Sequence, residues 1–183
     1  GARRVNLLLD AAGTAQMRAR LTNNTADTAA TVSGEAAPCW LRLERSGGTV
    51  TAFRAPDEGG VAGAWTQVGA PTAVTMRSDV VVGLVVSSGI ATTATSTAQF
   101  DQVTVTPAFS GTALHSEDIG NATLTGGSSV SGGITTINAV GTYDGSGGHF
   151  RYQQVWGDCM VTARLLTQTG TSRGSQAGVG IRD

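Results

Sequence analysis

The stretch CWLRLERSGGTVTAFRAP, Cys39–Pro56, decides the fold class. Leu41 and Leu43 alternate with Trp40 and Arg42, so an extended backbone presents one apolar face and one wet face. The Gly47–Gly48 pair then reverses the chain, and TVTAF resumes the same period-two pattern, which is a strong hairpin signal. The pattern recurs outward in both directions. RVNLLLD puts Val5, Leu7 and Leu9 on one face, and AQMRARLT, AWTQVG, DVVVGLVVSS, AQFDQVTVTP and RYQQVWGDCMVTARLLT continue it. No window has the periodicity of an amphipathic helix, so the expected class is all-β.

Composition agrees with many short strands joined by small-residue turns. The 183 residues include 26 Gly and only four Pro, and the length suits one domain, or two small ones, with a substantial core. Charged residues make up 14% and the net charge is -1, which leaves no basic face for phosphates and excludes nucleic acid as an expected partner. The most apolar stretch, Asp79–Ala91, is far shorter than the roughly 20 residues of a spanning helix, so no membrane insertion is expected. All twelve basic residues are Arg, so Schiff-base chemistry and Lys–Asn cross-links are excluded.

A change of character falls near Val105–Gly120, where Pro107 ends an alternating strand. It divides the chain into residues 1–106, a linker 107–116, and residues 117–183. Two long stretches then carry a family resemblance. WGDCMVTARLLTQTGTSRGSQAGVGIRD is similar to the GD…TARV…AGVMIR segment of concanavalin A-like (laminin G-like) β-sandwich domains of secreted bacterial proteins. CWLRLERSGGTVTAFRAPDEGGVAGAWTQVG…VVVGLVVSS…AQFDQVTV resembles the later part of the same domain, with six spaced elements in order. The resemblance implies a two-sheet antiparallel jelly-roll sandwich, but in the opposite order: residues 1–106 resemble the second half of a domain and 117–183 the first.

This phase makes the ends of the chain informative. Ala177, Val179 and Ile181 are expected to pair with Val5, Leu7 and Leu9 as a junction strand. Three arrangements fit: one unit of a tandem array, a circular permutant, or a sandwich completed by a neighbouring copy. The favoured expectation is a non-enzymatic extracellular or cell-surface repeat unit, structural or adhesive, that assembles with copies of itself or adjacent repeats into a filament or stalk. The alternative is a carbohydrate-binding module of a secreted enzyme or adhesin.

Cys39 and Cys159 each open a firm strand where the resembled domains have Tyr or Gly, and the paired departure implies a cross-strand disulfide if the Cα atoms come within about 4.4–6.8 Å. Two Cys and two distant His do not make a zinc site, and no metal ligands are assigned. The loop YDGSGGHF offers Asp144, with Asp158, as a partial calcium cage, short of the six to eight oxygens such an ion needs. Its default reading is a Gly-rich hairpin, and no other cofactor is expected. Acids in PDEGG and SEDIG fall in turns, where they are expected to be solvated. A Ser-His-Asp triad would have to use His115 or His149, and no strand-turn-helix elbow presents a serine. Trp65, Tyr143 and Trp156 adjoin loops and are the candidate glycan platforms, whereas Trp40, Phe53, Phe100 and Phe150 read as core. Asn23 and Asn121 stand in sequons.

Overall fold

The computed structural model of the chain describes residues 2–89, 94–107, 114–120, 124–141, 148–170 and 172–183. The strands are β1 (Arg4–Asp10), β2 (Thr14–Arg20), β3 (Thr28–Ser33), β4 (Cys39–Ser46), β5 (Thr49–Pro56), β6 (Thr66–Gln67) and β7 (Thr72–Ala73). They continue as β8 (Asp79–Ser87), β9 (Ser96–Thr106), β10 (His115–Ile119), β11 (Gly127–Ser131), β12 (Ile134–Ala139), β13 (Gly148–Trp156), β14 (Cys159–Thr169) and β15 (Gln176–Arg182).

All pairings are antiparallel and form two sheets. One has seven strands in the order β10-β13-β8-β15-β1-β2-β3; the other has eight, with β11-β12-β9-β14-β4-β5-β6 as its path and β7 beside β5. The sheets stack with β15 over β14 and β1 over β4 at the centre. At one edge β10 lies near β11; at the other Ala30 of β3 meets Gly69 just after β6. The chain is therefore an all-β two-sheet sandwich.

Period-two alternation builds the core between the sheets. Val5, Leu7, Leu9, Leu41, Leu43, Val82, Leu84, Phe100, Ile137, Val161 and Leu165 all belong to a single buried cluster. Ala177, Val179 and Ile181 face Leu9, Leu7 and Val5 across the β15–β1 ladder, inside one chain. This junction is consequently an intrachain ladder, flanked by β8 and β2, with no free edge for a neighbour to complete. Strands of 117–183 and of 1–106 share both sheets, with β8 inserted between β13 and β15 and β9 between β12 and β14, and β10 begins at His115, inside the expected linker.

Phe100 lies in the core as expected, but Phe150 does not. Phe150 is buried on the outer face of the seven-stranded sheet with Leu8 and Val85. A Cβ on Gly180 of β15 would lie in ordinary contact range of the Phe150 edge, and the space it would need there is taken by the Asn6 side chain. Trp40 is also buried but faces outward, with its Nε1 donating to Asp57 at 3.0 Å.

The disulfide is not formed: Cys39 and Cys159 are both free and buried. Each is the first residue of its strand, and β4 and β14 are antiparallel neighbours, so their starts lie at opposite ends of one ladder. Cys39 pairs with Leu165 and Cys159 with Arg45. Six positions of ladder separate the thiols, about 20 Å, far beyond disulfide reach.

Candidate functional site

Two polar constellations stand out, one on the outer face of the eight-stranded sheet and one in the seam between the sheets. The first begins with a bulge. Arg164 pairs with Asp101 and Thr162 with Thr104, so β9 carries an extra residue opposite β14. Gln102 there has φ 47°, and its Nε2 donates to the Gly60 carbonyl at 2.8 Å. The bulge brings Asp101 within 3.3 Å of Arg164 NH1.

Arg164 also grips Asp57 with two nitrogens, Nε at 2.8 Å and NH2 at 2.9 Å. Asp57 accepts further bonds from Trp40 Nε1 and the Gly60 N–H. Burial opposes ionisation of Asp57, but those bonds and the Arg164 charge outweigh it and hold its carboxyl below the usual carboxylate range. The PDEGG acid expected to be solvated is instead a largely buried anchor, its side chain only 8% exposed. Beside it, the Arg42 guanidinium lies 4.6 Å from the Phe53 ring and 4.3 Å from the Trp65 ring.

The second constellation joins β10, β13 and β11. Ser116 and Asp118 are two residues apart on β10, so both side chains point to the same face. His149 stands opposite Asp118 and Arg151 opposite Ser116 on β13. His149 Nδ1 lies 2.8 Å from Asp118 Oδ1, and Nε2 lies 2.6 Å from Ser116 Oγ. A two-residue strand rise of about 6.8 Å leaves room for one imidazole bonded at both ends. Asp118 further accepts the Gly126 N–H, at 2.9 and 3.1 Å to its two oxygens. Ser128 Oγ, from β11, is 2.7 Å from Ser116 Oγ and accepts Arg151 NH1 at 2.9 Å.

With Asp118 ionised and the imidazole neutral, His149 Nδ1 carries the hydrogen toward Asp118 and Nε2 accepts from Ser116. Ser116 must then accept from Ser128. The result is one directed chain: Arg151, Ser128, Ser116, His149, Asp118. The His149 side chain is 5% exposed and that of Asp118 27%, while Ser116 is exposed. No strand-turn-helix elbow is involved; two paired strands assemble the arrangement.

The remaining candidate residues do not converge. Trp65 precedes β6 at one edge of the eight-stranded sheet, and Trp156 ends β13 in the other sheet, where it is 60% exposed. Tyr143, Asp144 and Asn121 lie outside the described residues; Asn23 is exposed in the turn between β2 and β3. Asp158 accepts the Gly47 N–H at 2.6 Å. Among the described residues, no group of three or more His, Cys, Asp or Glu could hold a metal ion.

Sequence reasoning passed over Ser116 and Arg151 and put the SEDIG acids in a solvated turn, whereas Glu117 and Asp118 lie on β10 and Asp118 is bonded to His149 and Gly126. The available signal was the S-x-D alternation in SEDIG, legible as one face only once that segment is known to be a strand. No family model and no curated protein sequence matches the chain.

Proposed function

We propose that this chain is an extracellular or cell-surface β-sandwich unit, of the concanavalin A-like kind its sequence resembles, that associates edge to edge with copies of itself into a filament or stalk. The observation that carries the reading is the state of the sheet edges. An edge strand offers unpaired backbone groups, and proteins normally blunt it with charge, proline or shortness. Here β10 carries Glu117 and Asp118, and β6 is only two residues long. Their neighbours at the same ends are unguarded: β3 reads TAATVS and β11 reads GSSVS, without a charge or a proline. Val130 of β11 is 54% exposed.

One open edge at each end of the sandwich supports a linear polymer. Antiparallel pairing of β3 with β3 and of β11 with β11 gives two different two-fold contacts, and alternating them extends a chain of copies wherever the two axes do not meet to close a ring. Electron microscopy and sedimentation of the purified chain test this. Wild type forms concentration-dependent fibres, Thr31→Lys or Val130→Lys alone stops at dimers, and the double variant is monomeric. Fibres from the double variant, or a wild-type chain that stays monomeric at high concentration, refute it.

Glycan binding is the second reading, favoured by the exposed Trp156 and by the Arg42–Trp65 stack. Retention on a glycan array that disappears on Trp156→Ala or Trp65→Ala supports it.

A further inference from the structure

We propose that Ser116 is an acyl-transfer nucleophile, activated by His149 and Asp118, that cleaves small carboxylic esters presented at the β10–β11 end of the sandwich. Edge-to-edge assembly does not require this chemistry. Distances and accessibility together carry it. Both relay bonds, 2.6 Å from Ser116 Oγ to His149 Nε2 and 2.8 Å from Nδ1 to Asp118 Oδ1, fall within the range of a working nucleophile–base pair and its orienting carboxylate. The base is shielded while the nucleophile is exposed, so solvent does not compete for the imidazole although an ester reaches the hydroxyl.

In the reaction, Ser116 Oγ bonds to the acyl carbon as its proton passes to His149 Nε2. The ester C–O bond then breaks, and the leaving alkoxide takes that proton and departs as the alcohol. Water attacks the acyl-serine, gives its proton to His149, and releases the carboxylic acid while Ser116 recovers a hydrogen. Asp118 is a positioning residue: it holds the Nδ1–H tautomer and balances the transient imidazolium. Gly126 N–H and the β10–β13 ladder keep it in place.

The substrate class follows from the other end of the chain. Once Ser116 is engaged, the Ser128 hydroxyl is released from it and is still held by Arg151 NH1, which makes it the nearest donor for a developing oxyanion. A single hydroxyl backed by one guanidinium is weaker support than a pair of backbone amides. Esters, with their better leaving group, are therefore cleaved and ordinary amides are not.

The test uses the full chain with p-nitrophenyl acetate, followed by peptide mapping of acid-quenched protein, and in parallel with a fluorophosphonate probe. Turnover with an acetyl or phosphonyl adduct on Ser116 is expected, and Ser116→Ala, an exposed change, abolishes both while the melting curve is kept. Asp118→Asn lowers kcat about 100-fold or more with KM little changed, and Ser128→Ala lowers kcat with the adduct still on Ser116. Hydrolysis by Ser116→Ala at the wild-type rate overturns the proposal. So does a folded wild-type chain that neither turns over nor takes the probe at Ser116.

Discussion

The two thiols provide a direct test of the strand register. Cys39 and Cys159 sit in the core at opposite ends of the β4–β14 ladder. Burial, with Glu35 adding to it, pushes the Cys39 thiol up to about 12; burial pushes Cys159 up to about 11, with nearby Arg45 pulling the other way. At about pH 8 an unfolded cysteine is roughly one-quarter thiolate. At these folded values the fraction falls to about one in ten thousand for Cys39 and one in a thousand for Cys159. Ionisation alone therefore slows reaction with a disulfide reagent by about 200-fold or more, before steric shielding adds to it. Treating the native chain with 5,5′-dithiobis(2-nitrobenzoate) at that pH is expected to release chromophore only as fast as the protein opens, and adding denaturant releases two equivalents at once. Mild oxidation of the native chain leaves its mobility on a non-reducing gel unchanged. Rapid native labelling of both thiols, or an intramolecular bridge formed without unfolding, refutes the register that places them about 20 Å apart.

Two further outcomes follow from the outer face and the turns. Because Asp57 is held below its ordinary value, the stability it lends is full above the unfolded carboxylate range near 4 and is lost as pH falls through the lower folded value. Arg164→Ala shifts the acid-unfolding midpoint, followed by circular dichroism, to higher pH; identical midpoints would dismiss the anchor role. Gly13→Ala combines φ 84° with a Cβ placed 2.6 Å from the Glu35 carbonyl oxygen, so it costs more than about 1 kcal/mol in urea titration. Gly48→Ala, with open space around it, changes little.

The sandwich itself was readable because alternation depends only on burial of one strand face. Leu41 and Leu43 against Trp40 and Arg42, or Val5, Leu7 and Leu9 against Asn6, need no knowledge of partners. What alternation does not carry is the content of the outer face. Trp40 and Phe150 look like core residues by type, yet both are buried outside the main core, one by the Asp57 loop and the other with Leu8 and Val85. The cysteines show a related limit. Two equivalent positions, each opening a strand, look like partners until the strands prove antiparallel, and then equivalence guarantees separation.

The seam site was less legible still, because it depends on pairing between strands far apart in sequence. Asp118 and His149 are 31 residues apart and meet only through the β10–β13 ladder. Slipping that ladder by one residue would turn every β10 side chain to the other face and leave His149 beside Glu117, whose side chain now lies with Tyr152 on the outside. The two acids of SEDIG thus have opposite surroundings fixed by a register that no short motif encodes. The same ladder also bears on assembly. β10 is the guarded edge beside the open edge β11, and Ser128 of β11 is tied to Ser116 and Arg151 of the facing sheet. Those bonds hold β11 in place, so under the proposed assembly the residues that form the relay would also fix the strand through which the units meet.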